Sequence, residues 1–259
     1  VTSRERQHDR IRDEFTRQAE PLAESAEFTS DSILDRIADA VAARPDDDVL
    51  DVACGPGLVA ARIACNARSV VGVDITPEMI ERARSHASTS KLANLRFEVA
   101  PGESLPFADA SFDRVVSRLA IHHFAEPAIA LREMRRVLRP TGTLTIADVC
   151  TSEDAAEANL HNAIETLRDP SHVRMWTPNQ LVELARSAGL EAELAREWKR
   201  VRSFDEWIAI TGRPERIEPL RVVLLALAER GAHCGIGLRL DAGKIRFDHH
   251  WVIVSARVG

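Results

Sequence analysis

Five polar positions in this chain fall beside or just after apolar runs, where a charged or titratable side chain needs a physical reason. The first is Asp51, inside the stretch VLDVACGPGLVA from Val49 to Ala60. That stretch begins as a short apolar strand, turns tightly through Gly55 and Gly57, and enters a helix at Leu58. Glycines at such a turn accept backbone angles closed to other residues and let a ligand approach the main chain. The first N–H groups of the following helix favour negative or polar ligand atoms. A carboxylate held in an apolar strand needs partners, and a turn rich in N–H groups or a ligand's ammonium would supply them. The second is Asp74, which ends the strand SVVGVDI (Ser69 to Ile75), 17 residues beyond Gly57. A carboxylate there can accept from two ribose hydroxyls, or it can simply cap the helix that starts at Thr76-Pro77. The remaining three are His122, His123 and Asp148. A histidine near a carboxylate can take a proton from a nucleophile, and a histidine pair can equally be structural.

Positioning these groups requires an open α/β sheet. Strands are predicted at Val49–Val52, Ser69–Ile75, Leu95–Ala100, Phe112–Ser117 and Thr143–Val149, with helices following the first two. Ligands in such sheets bind outside the carboxyl strand ends. That rule gathers the glycine turn, Asp74, Arg118, His122, His123 and Asp148 around one crevice. Ahead of the first strand, Ser3–Glu24 and Ser32–Ala43 carry helical apolar stripes and form either a lid or packing for the sheet edge. Beyond residue 151 come a helix at Glu153–Leu167 and a polar turn, RDPSHVRMW. A helix follows that opens on Thr177-Pro178-Asn179-Gln180, a capping-box pattern. A strand at Leu190–Arg200, helices at Phe204–Ile210 and Pro219–Arg230, and a terminal strand at His249–Val258 complete the chain. Arg168, Asp169, His172 and Arg174 form either a self-satisfied salt-bridged turn or a lid over a ligand pocket.

Composition narrows the functions. With 45% hydrophobic and 29% charged residues over 259 positions, the chain fits one globular domain. Its net charge of -6 argues against a nucleic-acid binder. No apolar run approaches the ~20 residues of a membrane span, and the N-terminus lacks a signal-peptide core, so a cytoplasmic location is expected. Cys54, Cys65, Cys150 and Cys234 have no metal or redox spacing and read as structural thiols, so no metal site is expected. Tyrosine is absent, which leaves His, Asp, Glu, Cys or Lys as the side-chain acids and bases.

The glycine turn, the pair Leu105-Pro106-Phe107 and Ser111-Phe112-Asp113, Glu133, and the run Arg136–Gly142 together resemble class I S-adenosylmethionine-dependent methyltransferases. The segments RDPSHVR, HHF and Phe15-x-x-Gln18-Ala19 are similar to the subgroup related to ubiquinone and menaquinone C-methyltransferases. The resemblance implies a doubly wound, Rossmann-like sheet of seven strands, mostly parallel with an antiparallel last strand, and helical N-terminal and cap segments. It implies one domain over 1–259: N-terminal helices in 1–44, a cofactor core in 45–150, a cap in 151–189, and C-terminal strands with a helical insertion in 190–259. S-adenosyl-L-methionine is the implied cofactor, held by Asp51, Ala53, Gly55, Gly57, Asp74, Ile75, Met79, Gly102, Glu103 and Arg118. Pro101 stands where relatives often place an Asp or Thr toward the adenine, so that task falls to backbone near Gly102 and to Glu103. The implied partner is a small-molecule methyl acceptor contacted by Phe15, Arg168, His172 and Trp176, in a monomer or homodimer. His122, His123 and Asp148 are the candidate catalytic set. Two readings compete: a nicotinamide-dependent oxidoreductase using the same loop, disfavoured by Asp51 and by the lack of a Lys/Tyr pair, and a non-catalytic binding protein.

Overall fold

The computed structural model describes residues 2–24 and 29–259. In chain order its elements are α1 (Ser3–Glu24), α2 (Asp31–Val41), β1 (Asp48–Val52), α3 (Leu58–Ala64), β2 (Ser69–Asp74) and α4 (Pro77–Ser90). These are followed by β3 (Leu95–Val99), β4 (Phe112–Arg118), a 3-10 turn (Ile121–His123), α5 (Pro127–Val137), β5 (Leu138–Cys150), α6 (Ala155–Arg168) and α7 (Pro178–Ser187). The last elements are β6 (Leu190–Ser203), α8 (Phe204–Ala209), α9 (Pro214–Glu229), β7 (Arg239–Asp241) and β8 (Lys244–Val258). The sheet order is β3-β2-β1-β4-β5-β8-β6, with β7 paired to β8. Strands β1 to β5 are parallel, and β8 runs antiparallel to both β5 and β6.

The sheet therefore has eight strands among the described residues rather than the seven expected. The extra one is the three-residue β7, closed on Lys244 by a two-residue turn in which Ala242 and Gly243 both have positive φ. That is the geometry of a tight hairpin matched to strand twist. Two apolar layers cover the sheet. One, around Ile37, Val59, Ile63, Ile80 and Trp251, is built by α2, α3 and α4. The other, around Leu131, Met134, Leu181 and Ala185, is built by α5 and α7. The cysteine expectation fails at one position, because Cys65 ends α3 and is exposed.

The turn after β3 is held from outside by one ion pair. Leu105 N–H donates to Glu133 Oε2 at 2.9 Å, and Arg136 donates to Glu133 and to the carbonyls of Leu105 and Phe107. Glu133 and Arg136 thus fix the Leu105-Pro106-Phe107 loop from α5. Helix α7 carries the full capping box, with Thr177 and Gln180 each bonding the other's backbone N–H.

Gly57 has a different reason from the one its sequence position suggests. It caps α3 with φ 77°, and a Cβ on it would lie 2.6 Å from the Phe97 ring and 3.0 Å from Ala83. It lets α3 lie against β3 and α4. A Gly57→Val protein should therefore lose roughly 1–3 kcal/mol of stability through strain and overpacking. Denaturant melts check this: a Gly57→Val protein as stable as the wild type would contradict the packing role.

Candidate functional site

At the carboxyl ends of β1, β2 and β4 lies a cavity of about 100 Å³. Asp51 is 1% exposed at its floor, and Ala60 N–H, near the start of α3, donates to its Oδ2 at 3.1 Å. Burial pushes the Asp51 carboxyl up to about 7, against the Ala60 N–H and the charge of Arg118. Asp74 accepts from Gly55 N–H and Thr76 N–H, each at 2.9 Å and one on each oxygen. Burial raises its pKa as well, opposed by those two N–H groups. Each Asp74 oxygen keeps accepting capacity beyond its one N–H. Arg118 ends β4 on the same cavity, and burial holds its guanidinium down to about 10.

The turns that make this cavity are conformationally unusual. Ala53, after β1, and Leu119, after β4, both adopt left-handed backbone at φ 57° and 52°, a rare state for residues with a Cβ that tends to cluster at ligand sites. Both line the cavity. At Gly102 a Cβ would sit 2.9 Å from the Phe124 ring and 3.1 Å from Val52, so glycine is required there by space. Ile75 and Met79 form apolar wall, and Glu103 lies with Oε1 3.2 Å from His8 Nε2.

A second chamber of about 80 Å³ adjoins the first, sharing Phe15, Leu22, Leu119 and His123 with it. His122 lines this inner chamber, its Nδ1 2.7 Å from Asp148 Oδ1. Asp148 also accepts from Ile121 N–H and Val149 N–H, which fixes the carboxylate. Burial disfavours the His122 cation, but the charge and hydrogen bond of Asp148 outweigh it and raise the pKa. His123 has the opposite fate. Its Nδ1 lies 3.1 Å from the Ser171 carbonyl, and burial plus the neighbouring His122 push it down to about 4. Arg168 donates to Glu165 at 3.1 Å and lies over the Trp207 ring.

Helix α1 closes both chambers. Ile11, Phe15 and Leu22 face the first, and Phe15, Gln18 and Leu22 face the second. Gln7 donates to the carbonyls of His123 and Ser171, Gln18 to Asp169, and Arg213 to Glu14 on α1. Of the two readings left open for the N-terminal helices, α1 takes the lid position and α2 packs on the sheet.

Nine of the ten cofactor positions read from the sequence thus line the first cavity: Asp51, Ala53, Gly55, Asp74, Ile75, Met79, Gly102, Glu103 and Arg118. Gly57 does not, because its Cα faces Phe97. Phe15 and Arg168 line the inner chamber, whereas His172 and Trp176 line neither. His172 Nε2 donates to Asn162 Oδ1 at 2.9 Å, an atom that also takes Met175 N–H, so it knits the loop after α6. Trp176 packs on the α5–α7 core beneath Arg174. The structure adds His8, Gln18, Glu165, Arg202, Trp207 and His249 to the two linings. Only Gln18 had a sequence signal, in Phe15-x-x-Gln18-Ala19; the others arrive from α1, α6, β6, α8 and β8, far apart in the chain. No group of three or more metal-ligating side chains occurs among the described residues, and none of their helices is long and apolar enough to cross a membrane.

The donor set fits S-adenosylmethionine: a buried carboxylate with one N–H partner for an ammonium, a carboxylate with spare lone pairs for two hydroxyls, and a guanidinium for a carboxylate. Comparison with known proteins agrees. A family model described as a methyltransferase domain matches residues 43–205. The chain is 32% identical to the uncharacterized methyltransferase YcgJ of Bacillus subtilis over 77% of this chain and 79% of that one. It is 32% identical to the 27-O-demethylrifamycin SV methyltransferase of Amycolatopsis mediterranei, over 73% of this chain and 69% of the relative. The crystal structure of YcgJ superposes with a TM-score of 0.80 at 30% identity, covering 87% of this chain and 98% of YcgJ.

The imidazole environments set a pH signature. His123 is depressed to about 4 and His172 to about 3, so the unfolded chain gains protons there that the folded one does not. Their contribution to stability is present above about 6.5 and is lost as pH falls toward 4. His122, raised, has the opposite sign and favours the fold below 6.5. NMR titration should find one of these three rings titrating above 6.5 and two remaining neutral below pH 5. Asp148→Asn should drop the His122 midpoint; an unchanged midpoint would contradict the ion pair.

Proposed function

The chain belongs to the S-adenosylmethionine-dependent methyltransferases, and on that premise we propose that it methylates an oxygen or carbon of a small molecule whose acceptor atom carries or adjoins an ionisable proton. The carrying observation is the His122–Asp148 pair at 2.7 Å on the inner chamber, beside the residues that chamber shares with the cofactor cavity. The bound cofactor supplies a methyl group on a positively charged sulfur.

This chain's residues supply position and proton transfer. Asp51 receives the cofactor's ammonium, Arg118 its carboxylate and Asp74 its ribose hydroxyls. The backbone at Gly102 lies beside the base, Met79 and Ile75 form its apolar wall, and Glu103 with His8 offers its polar edge. Phe15, Leu22 and Leu119 bring the two chambers together and exclude water, so in-line placement provides much of the rate. Asp148 holds the proton on His122 Nδ1, which leaves Nε2 as the basic nitrogen toward the acceptor. His123, kept neutral and bonded to Ser171, shapes the passage rather than moving the proton. Arg168 and Phe15 contact the acceptor's body.

Two relatives favour an acceptor of this type by their names. One is the rifamycin 27-O-methylating enzyme. The other is the ubiquinone/menaquinone C-methyltransferase of Geotalea daltonii, 37% identical over 41% of this chain. An oxygen or an activated ring carbon must each lose a proton at some stage. A nicotinamide oxidoreductase loses its support, because no observation on the site favours hydride chemistry.

The test uses a panel of phenols, quinols and enols, read by S-adenosylhomocysteine formation. Once an acceptor is found, His122→Ala and Asp148→Asn should each lower turnover by roughly 10²–10⁴-fold with cofactor affinity nearly unchanged. The rate should rise with pH through the His122 midpoint, above 6.5, and Asp148→Asn should move that limb down. Variants with wild-type turnover across pH would leave catalysis to positioning alone.

A further inference from the structure

The Arg118 guanidinium does not reach its place by the backbone alone. It lies 5.7 Å from the centroid of the Trp251 ring. Trp251 is 0% exposed and stacks on Trp198 at 5.6 Å with 8° between planes. Over Trp198, in turn, lies the exposed Arg36 of α2, 5.3 Å from that ring's centroid. The four side chains form a continuous stack from the protein surface to the cofactor cavity.

Register explains how the stack assembles. Arg118 on β4 is opposite Ala147 on β5, and Trp251 on β8 is opposite Val149, two residues further along the same face of β5. Trp198 on β6 is directly opposite Trp251. Ala147, opposite Arg118 in the register, carries only a methyl group on that face. Both tryptophans belong to the apolar layer under α2 and α3. A guanidinium attracted to an aromatic face within about 6 Å of its centroid is held in position and gains most where water is excluded.

We propose that Trp251 is a positioning residue for cofactor binding: backed by Trp198 and Arg36, it fixes Arg118 where the cofactor's carboxylate arrives opposite Asp51. The inference rests on the reading of Arg118 and Asp51 as the receptor for the amino-acid end of the cofactor. Trp251 itself touches no ligand. Its effect falls on the amino-acid end and leaves the nucleoside end alone.

Calorimetry with two ligands tests this. S-adenosylhomocysteine carries the amino-acid end, and 5′-methylthioadenosine lacks it. Trp251→Met, which removes the ring face, should weaken S-adenosylhomocysteine roughly tenfold and leave 5′-methylthioadenosine unchanged. Trp251→Phe, which keeps a face, should restore most of the loss. Trp198→Leu, which leaves Trp251 in place, should shift the ratio of the two affinities in the same direction by less, and it carries the test if Trp251→Met does not fold. Equal weakening of both ligands would overturn the proposal, since it would mark a general structural defect. Arg118→Gln separates the two levels. If it lowers only S-adenosylhomocysteine binding while the tryptophan variants do not, Arg118 acts without the stack and the proposal falls. If it changes neither ligand, the underlying reading falls as well.

Discussion

A carboxylate buried in the middle of a parallel sheet is the constraint from which the rest of this site follows. Asp51 is flanked by Leu50 and Val52, both fully buried, and is itself 1% exposed, so little solvent shares its charge. Left alone, such a group keeps its proton, as its rise to about 7 records. Every neighbouring feature bears on that balance. The turn through Gly55 brings the start of α3 close enough for the Ala60 N–H. Arg118 opposes the burial with positive charge, and Asp74 adds to it with negative charge. The remaining demand is for a cation, and a cofactor carrying an ammonium group meets it. On the proposed contact, cofactor binding completes an unsatisfied buried charge.

The second consequence concerns closure. An apolar chamber can be kept dry only if something covers it, and α1 does so with Ile11, Phe15 and Leu22 while its polar face is tied down by Gln7, Gln18 and Glu14. These ties reach the loop after β4, the loop after α6 and the start of α9. The lid is therefore joined to the elements that wall the inner chamber. The far wall comes from α8, where Trp207 packs on Phe247 of β8 in a separate apolar cluster with Phe204, Leu220 and Leu224. This cluster packs the excursion between β6 and β8 beside the site.

Much of the first cavity's lining was legible in the sequence because its signals are local. A glycine turn after an apolar strand, an aspartate ending the next strand and a proline-started helix are each decided within a few residues. The capping box at Thr177–Gln180 was readable for the same reason. Gly57 shows the limit, since its neighbour Phe97 is on another strand and no local pattern reveals that contact. His172 and Trp176 belong to a polar or aromatic segment that looks like a binding loop, yet His172 is bonded to Asn162 and Trp176 packs on the α5–α7 core. The inner chamber's far side was not legible at all. Arg202, Trp207 and His249 meet only because β6, α8 and β8 fold back on one another, and the strand β7 is too short to carry a period.

On the proposed contact, Asp51 loses its proton when the cofactor's ammonium arrives. Calorimetry of S-adenosylhomocysteine binding at pH 6.5, in two buffers with different heats of ionisation, measures that directly. With the free carboxyl near 7, binding should release more than about half a proton per site, and Asp51→Asn should abolish that release. Binding with no proton exchange, or the same release from Asp51→Asn, would contradict it.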